Sequence, residues 1–412
     1  MMVTHVQCLV VGGGPAGLAA AAALATIGAD VAIAGATLGQ AGPVCAVQAD
    51  PRTAALFPPA IALLDAVGAG PAQGLPSTQL AGIRIVDAMG GLLRAPEILF
   101  EPRELGLASF GANVTQFELG KALLAAIKAS DVRVLEGGPV IRLRLDADRA
   151  VATLESGQDV SALLVVAADG RHSLCRESAG LTVRRWRYDQ SAIATSFDHQ
   201  RPHHGISTEL HRPSGPCTTV PLAGRSSSLV WVERPREALR LEGCSASDFL
   251  GELEHHLGGL LGPLSNLRTR RAFPLEGLVA GGLGQNRVAL VGEAAHVIPP
   301  IGAQGLNLGL RDVATLADCV SAVLRAGADI GSPDCLAAYT GARADDIRRR
   351  ISAVDLVNTS LTSSFWPLSV ARGLSLHVLA SVPSIRRRVM VEGIQPPGPL
   401  PRLMRGAALG LA

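Results

Sequence analysis

Residues 287–312, RVALVGEAAHVIPPIGAQGLNLGLRD, decide the fold. Residues 288–291 are an apolar run that reads as a short buried strand. The run breaks at Gly292-Glu293, and a Pro/Gly-rich loop over residues 299–305 leads into a helix of apolar periodicity. Such a segment delivers one carboxylate and one helix end to the same place. Glu293 stands at the carboxyl end of a strand, and the helix opening near Gly305 directs unpaired N–H groups and a partial positive charge outward. A group that is negative, or becomes so, belongs there. Alone, the segment reads equally well as a turn with a solvated acid, so the rest of the chain has to decide.

The first turn of the chain supplies a partner. Residues 6–11 are a β-rich run that ends in Gly12-Gly13-Gly14-Pro15-Ala16-Gly17, and an alanine/leucine helix follows and stops at Gly28. This is G-x-G-x-x-G with a strand before it and a helix after it. Gly12 permits the tight turn, Gly14 lets a pyrophosphate approach the backbone, and Gly17 lets helix and strand pack closely. Pro15 suits a first helical turn, where its missing N–H is not needed. The second strand, 30–34, is expected to end in an acid that holds a ribose, but Gly35, Ala36 and Thr37 occupy that region; Thr37 offers one hydroxyl instead.

A second acid-bearing strand end lies further on. In SALLVVAADGRHSLCRESAGL an apolar strand ends at Asp169-Gly170, with Ser173 and Arg176 just beyond. Asp-Gly is a common turn and by itself structural. Two such ends beside a glycine-rich turn nevertheless describe an elongated ligand lying across one edge of a sheet. Elsewhere, Arg52 lies in a loop before a helical pattern, either reaching a phosphate or another edge of that ligand or simply solvated. Thr115 reads as the N-cap of a helix with Leu119, Leu123 and Ile127 on one face.

Composition bounds the rest. A chain of 412 residues, 48% hydrophobic and 17% charged, is globular and long enough for two joined domains and a tail. A net charge of +2 gives no case for a nucleic-acid partner. Seven scattered cysteines without a C-x-x-C pair imply a reducing compartment and no structural metal. The paired histidines His203-His204 and His255-His256 lack ligand spacing. The apolar N-terminus reads as strand-turn-helix, its glycines and missing basic segment speaking against a signal peptide or membrane span. Residues 181–273 change character to short strands and one helix at 247–257, the wall of a substrate site. The apolar tail, 358–390, carries Arg386-Arg387-Arg388 near its end; it reads either as docking on the first domain or as an apolar, basic face for a membrane.

The ordered set Gly12-x-Gly14-x-x-Gly17, Ala168-Asp169-Gly170-x-x-Ser173-x-x-Arg176 and Gly292-Glu293-Ala294-Ala295-His296 resembles the three fingerprints of the single-component FAD-dependent aromatic hydroxylases of the p-hydroxybenzoate hydroxylase fold. More narrowly it is similar to the ubiquinone-biosynthesis branch, the UbiH/UbiF/Coq6 group, through residues 271–275 (RAFPL), residues 300–312, and Tyr339, Arg343 and Asp346. The chain departs from that pattern at Glu293, where most relatives carry aspartate. It departs again at Gly302-Ala303-Gln304-Gly305, where Ala-Gly-Gln-Gly is commoner, and at Gln116, where many have arginine.

The resemblance implies an α/β fold: a Rossmann-like FAD-binding domain built from 1–72, 109–180 and 274–330, an inserted sheet-bearing substrate domain (73–108 and 181–273), and a helical C-terminal region (331–412). It implies bound FAD, with Gly12, Gly14, Ala16, Gly17, Arg52, Gln116 and Val140 toward its ADP half and Asp169, Gly292 and Glu293 on pyrophosphate and ribityl. Pro300, Gly302, Gln304 and Gly305 take the catalytic place over the isoalloxazine, with Leu306 and Asn307 also on the cofactor. Reduced flavin carries negative charge that the helix end after Gly305 is suited to stabilise.

The implied reaction is ring hydroxylation of a polyprenylated phenol in ubiquinone biosynthesis through a flavin C4a-hydroperoxide. NAD(P)H serves as a transient reductant without a Rossmann domain of its own, and O2 is the co-substrate. No general base is named; His296 reads at least as well as a structural residue. The expected setting is cytoplasmic, with attachment to the inner membrane or to a ubiquinone-biosynthesis complex as the further option. Two other readings remain: a hydroxylase of a soluble aromatic metabolite, separated by whether activity needs a prenyl tail, and a non-catalytic dinucleotide or lipid binder, which a yellow protein bleached by NAD(P)H excludes.

Overall fold

The computed structural model describes residues 3–35, 50–89, 95–362, 366–395 and 398–406. Its organising element is a mostly parallel sheet. The Thr4–Val11 strand lies between Asp159–Ala167 and Val31–Ala34, with Val288–Leu290 beyond the former and Arg133–Leu135 beyond the latter. Gly284–Gln285 closes one edge antiparallel, and an antiparallel ribbon, Val140–Leu145 with Ala150–Leu154, folds onto Asp159–Ala167. Parallel strands covered on both faces should be apolar throughout rather than alternating. Leu9, Val10, Val165 and Val166 are fully buried in this way. The Pro15–Thr26 helix packs against Gln116–Lys128 and Gln304–Arg325 to cover the sheet.

The register sets the rim. Val11 pairs with Ala167, Ala167 with Leu290, and Val11 with Ala34, so four strands end at one level. Backbone hydrogen bonds carry the alignment one step further: Gly12 N–H to Ala34 O (2.7 Å), Ala168 N–H to Val11 O (2.8 Å) and Val291 N–H to Ala167 O (3.0 Å). Two glycines make this closeness possible. Gly12 has φ +121°, and a Cβ there would stand 2.2 Å from Ala168 O; a Cβ on Gly17 would stand 2.0 Å from Gly12 O. Both obstacles are backbone, which cannot step aside.

A second sheet orders His296–Val297, Arg271–Ala280, Val183–His199, Ser226–Glu233, Cys217–Pro221, Ile206–His211, Gly82–Asp87 and Ile98–Phe100. The segment around Gly82–Asp87 joins it parallel to Ile206–His211, and the ten-residue Arg271–Ala280 strand runs straight across position 273. Two helices cover one face where the sequence suggested one: Pro235–Gly243 and Ala246–Leu257, the second capped by Ser245, whose Oγ accepts from Asp248 N–H. They bury Trp231, Phe197 and Leu229 of the sheet. The other face meets the first unit, where Thr53 and Ser228 hydroxyls lie 2.9 Å apart. A small sheet of Thr53–Leu56, Ala112–Thr115 and Thr78–Gln79 joins the two.

The chain then forms the 30-residue Pro333–Thr362 helix and a helical hairpin, Trp366–Ser381 and Pro383–Ile394. Leu376, Met390 and Ile394 of the hairpin pack with Phe57, Phe100 and Phe110, and Arg386 pairs with Glu104 at 2.7 Å. Among the described residues no helix is long and apolar enough to cross a membrane. A Gly17→Ala chain is expected to lose at least ~2 kcal/mol of unfolding free energy, because the added methyl meets backbone oxygen rather than a movable side chain. Urea unfolding followed by circular dichroism measures it, with Gly28→Ala, where an added Cβ meets nothing within 4 Å but φ is +85°, as the strain-only control.

Candidate functional site

The aligned strand ends gather residues far apart in sequence. Ala16 lies 3.0 Å from where a Cβ on Gly292 would be, and a Cβ on Gly309 would lie 3.1 Å from Gly292 Cα. The glycine turn, the Gly292-Glu293 turn and the start of the Gln304–Arg325 helix are therefore in direct contact. Asp169 stands beside them: Ala168 touches both Gly12 and Gly17, and Asp169 Oδ2 accepts from Cys175 N–H at 3.1 Å.

Two observations test whether this cradle suits a dinucleotide. A Cβ on Gly14 meets nothing within 4 Å, so the middle glycine faces open space. Asp169 Oδ1 is buried without a hydrogen-bond partner. Leaving a carboxylate oxygen so costs on the order of 1–3 kcal/mol. A ligand hydroxyl satisfies it, whereas a phosphate oxygen only repels it. The residues thus fit FAD, whose sugar-type hydroxyls are donors of the kind that Asp169 Oδ1 lacks.

At the second-strand end, a Cβ on Gly35 would press to 2.7 Å from Gly13 N, so a side chain there requires the turn to shift. Thr37 lies outside the described residues. Arg52 and Gln116 meet across the small sheet, Gln116 N–H bonding Arg52 O at 3.2 Å. The Arg52 guanidinium lies 5.2 Å from the Phe273 ring centre and pairs with Asp50 at 2.6 Å. Its pKa is raised, first by the Asp50 hydrogen bond and, more weakly, by the charges of Asp50 and Glu293, so Arg52 and Glu293 sense one another. Burial works against the Asp50 charge, yet the Arg52 hydrogen bonds outweigh it and hold that carboxyl below its usual range. Val140, by contrast, is buried in the core of the first unit opposite Leu154.

The carboxylate of Glu293 is half exposed and engaged by Arg171 at 3.3 Å, the same guanidinium that bonds Glu276 at 2.8 Å. The loop that follows is open on one side: Pro300, Gly302 and Gly305 are exposed while Gln304 and Asn307 are buried. Gln304 opens the helix, one residue earlier than the sequence suggested, after Ala303 at φ +55°. Gln304 Nε2 donates to Gly302 O (2.8 Å) and to Gly393 O (3.1 Å) of the C-terminal hairpin. Asn307 acts as a clamp, donating to Ala55 O (2.8 Å) and Ala303 O (2.7 Å) and accepting from Phe57 N–H (2.9 Å). Leu306 is half-buried against the core. Among the described residues no His/Cys/Asp/Glu group of three or more is placed to hold a metal.

Beneath the site lies a buried ionic chain that sequence reasoning missed. Asp312, fully buried, accepts from Gly292 N–H (3.1 Å), His296 Nε2 (2.6 Å) and Arg343 Nε (2.8 Å). Arg343 also bonds Asp346 (2.6 Å), which takes Arg311 at 2.9 Å. Burial disfavours the Asp312 charge, but His296 and Arg343 overcome it and lower its pKa. Arg343, touching both acids, is raised against the same burial, whereas Arg311, with Asp346 as its contact, is pushed down by burial to about 10. The available signal was Arg311-Asp312 interrupting an apolar helix face, which requires paired burial. His296, its side chain 1% exposed, is spent on Asp312 and not presented to a substrate.

Comparison with known proteins agrees with this geometry. The FAD binding domain family model matches residues 5–353. Ubiquinone hydroxylase UbiL of Rhodospirillum rubrum is 35% identical over 405 residues, covering 97% of this chain and 93% of that protein. The 3-demethoxyubiquinol 3-hydroxylase of Escherichia coli is 31% identical over 294 residues, 71% of this chain and 75% of that one. In structure, p-nitrophenol 4-monooxygenase PnpA of Pseudomonas putida superposes with a TM-score of 0.77 at 21% identity, covering 97% of this chain and all of that one.

Replacing Asp312 by asparagine leaves Arg343 short of a countercharge in a dry site, and the expected loss is about 3 kcal/mol of stability. Since the folded pKa of Asp312 is depressed, its contribution is complete above the unfolded value of about 4 and is lost as pH falls through the folded value. Denaturant titrations across acid pH should show that limb in the native chain and a shallower one in Asp312→Asn.

Proposed function

The chain belongs to the FAD binding domain family, and we propose that, as a flavin-dependent monooxygenase of that family, it hydroxylates the aromatic ring of a polyprenylated phenol on the route to ubiquinone, drawing on NAD(P)H and O2. The observation that carries this reading is the convergence of Gly12, Asp169 and the Gly292-Glu293 turn on one sheet rim, with an unsatisfied Asp169 oxygen waiting for a donor. Similarity to a ubiquinone hydroxylase over nearly the whole chain supports the substrate class.

Bound FAD supplies hydride uptake from the reductant and activation of oxygen. The chain contributes position and charge. Gly12, Gly14 and Gly17, with Ala16 beside Gly292, let the dinucleotide lie against backbone, while Asp169 takes a hydroxyl of its sugar-alcohol chain. Arg52 and Gln116 stand where the small sheet borders the rim. The first N–H groups of the Gln304–Arg325 helix lack partners within the helix and present partial positive charge beside the open Pro300–Gly302–Gly305 surface, which favours a transition state gaining negative charge. Asn307 and Gln304 hold that loop in shape. A substrate carried in lipid places the protein at the periphery of the inner membrane, alone or with other enzymes of the route.

Purified protein should be yellow and bleach with NAD(P)H. With a panel of phenols bearing and lacking prenyl chains, reductant oxidation should yield product heavier by one oxygen atom, faster for the prenylated members. Phenol-dependent oxidation with no hydroxylated product anywhere in the panel would sink the reading; equal rates without the tail would shift it to a soluble aromatic. Asp169→Ala should weaken FAD binding about tenfold or more, as expected for losing a hydrogen bond to a charged group. Flavin fluorescence titration measures this.

A further inference from the structure

We propose that the C-terminal helical hairpin is the surface by which the protein docks on an anionic bilayer, and that docking is relayed to the flavin loop through the bond from Gln304 to Gly393. Its purpose rests on the lipid-borne substrate of the proposed reaction. Each helix of the hairpin has two sides. Inward, Leu376, Met390 and Ile394 bury themselves against Phe57, Phe100 and Phe110. Outward, Leu374 (60% exposed) and Val378 (41%) stand one turn apart on Trp366–Ser381, and Ile385 (44%) and Val389 (45%) do the same on Pro383–Ile394. Four large apolar side chains on two adjoining helices, all turned away from one shared cluster, make a patch rather than scattered exposure.

Charge selects the occupant. Residues 366–394 hold four arginines against the single acid Glu392, a net +3. Arg386 is taken by Glu104, but Arg387 and Arg388 are exposed, and Arg388 meets Glu392 only at 3.9 Å with both ends in water. Such a pair holds little in water. Exposed apolar residues on the same hairpin as the exposed Arg387 and Arg388 match the boundary between anionic headgroups and acyl chains. Each apolar side chain can enter the acyl region while the guanidinium groups remain at the headgroups.

The same helix touches the site. Gly393 O, one residue before buried Ile394, accepts from Gln304 Nε2 at 3.1 Å, and Ala303 packs on the cluster that seats the hairpin. A displacement of the helix by about 1 Å is enough to break that bond. Contact with a bilayer therefore bears on the loop that covers the flavin, so that the site changes when the membrane carrying the substrate is present.

The test uses full-length holoenzyme and sedimentation with vesicles of phosphatidylcholine alone or mixed with phosphatidylglycerol, no substrate being present. Binding is expected to the mixed vesicles, weakened about fivefold by each of Arg387→Gln and Arg388→Gln and abolished by Leu374→Ser combined with Val389→Ser. The flavin absorbance envelope should shift on adding mixed vesicles to the native protein and stay fixed for the double variant, whose turnover of a short-chain phenol without vesicles should equal the native rate. Absence of vesicle binding, or binding indifferent to all four substitutions, overturns the proposal. So does a native dimer that the double variant splits, which would make the patch a contact between two copies. Vesicle binding without a flavin shift overturns the relay. None of these outcomes depends on which phenol is hydroxylated, so the proposed reaction stands or falls separately.

Discussion

Everything in this molecule depends on four strands reaching the same height. Because Val11, Ala34, Ala167 and Leu290 are in register, the residues that follow them are placed side by side whatever their distance in sequence. The cost of that alignment falls on the connections, which must turn away within one or two residues without striking one another. Gly12 and Gly17 solve this by having no side chain where Ala168 and the turn itself pass. Packing and function are thus the same constraint: the absence of side chains that allows the turns to meet also leaves backbone exposed to a long ligand.

A second layer keeps the rim from relaxing. Asp312 joins the Gly292–His296 segment and the long C-terminal helix through one carboxylate, its donors coming from Gly292 and His296 on one side and Arg343 on the other. Ionic groups in a dry interior gain little over well-packed apolar ones, but they are intolerant of rearrangement, since moving one partner strands another. Tyr339, whose hydroxyl bonds Leu290 O at 2.7 Å, adds a neutral tie at the same strand end. The C-terminal region therefore buttresses the rim through Tyr339 and Arg343, while its hairpin reaches the loop before the Gln304–Arg325 helix through Gly393.

How much of this was legible in sequence follows from how local each signal is. Turn chemistry is local, so the glycines at 12, 14 and 17, the acid at 169 and the break at 292 could be read directly, and Thr115 announced its helix by capping it. The ionic chain could not be read that way: Asp312 and Arg343 are 31 residues apart, and nothing short of the packed helices says that they meet. Arg171 looked like a filler position in its motif, yet it ties the Asp169 turn to Glu276 and Glu293. The missed Pro235–Gly243 helix is short, with just Ala238 and Leu241 buried, too weak a stripe to show periodicity.

Ala303 carries one more consequence. A non-glycine residue at φ +55° sits in a conformation that costs it roughly 1 kcal/mol or more relative to its ordinary ones. It stays there because Asn307 grips its carbonyl while reaching across to Ala55. The loop is therefore a loaded spring with a catch: its resting shape is imposed by a neighbouring amide, not preferred by its own backbone. Release of that grip would let the backbone at Ala303 relax toward a lower-energy conformation, so the shape of the loop depends on Asn307 as well as on its own sequence.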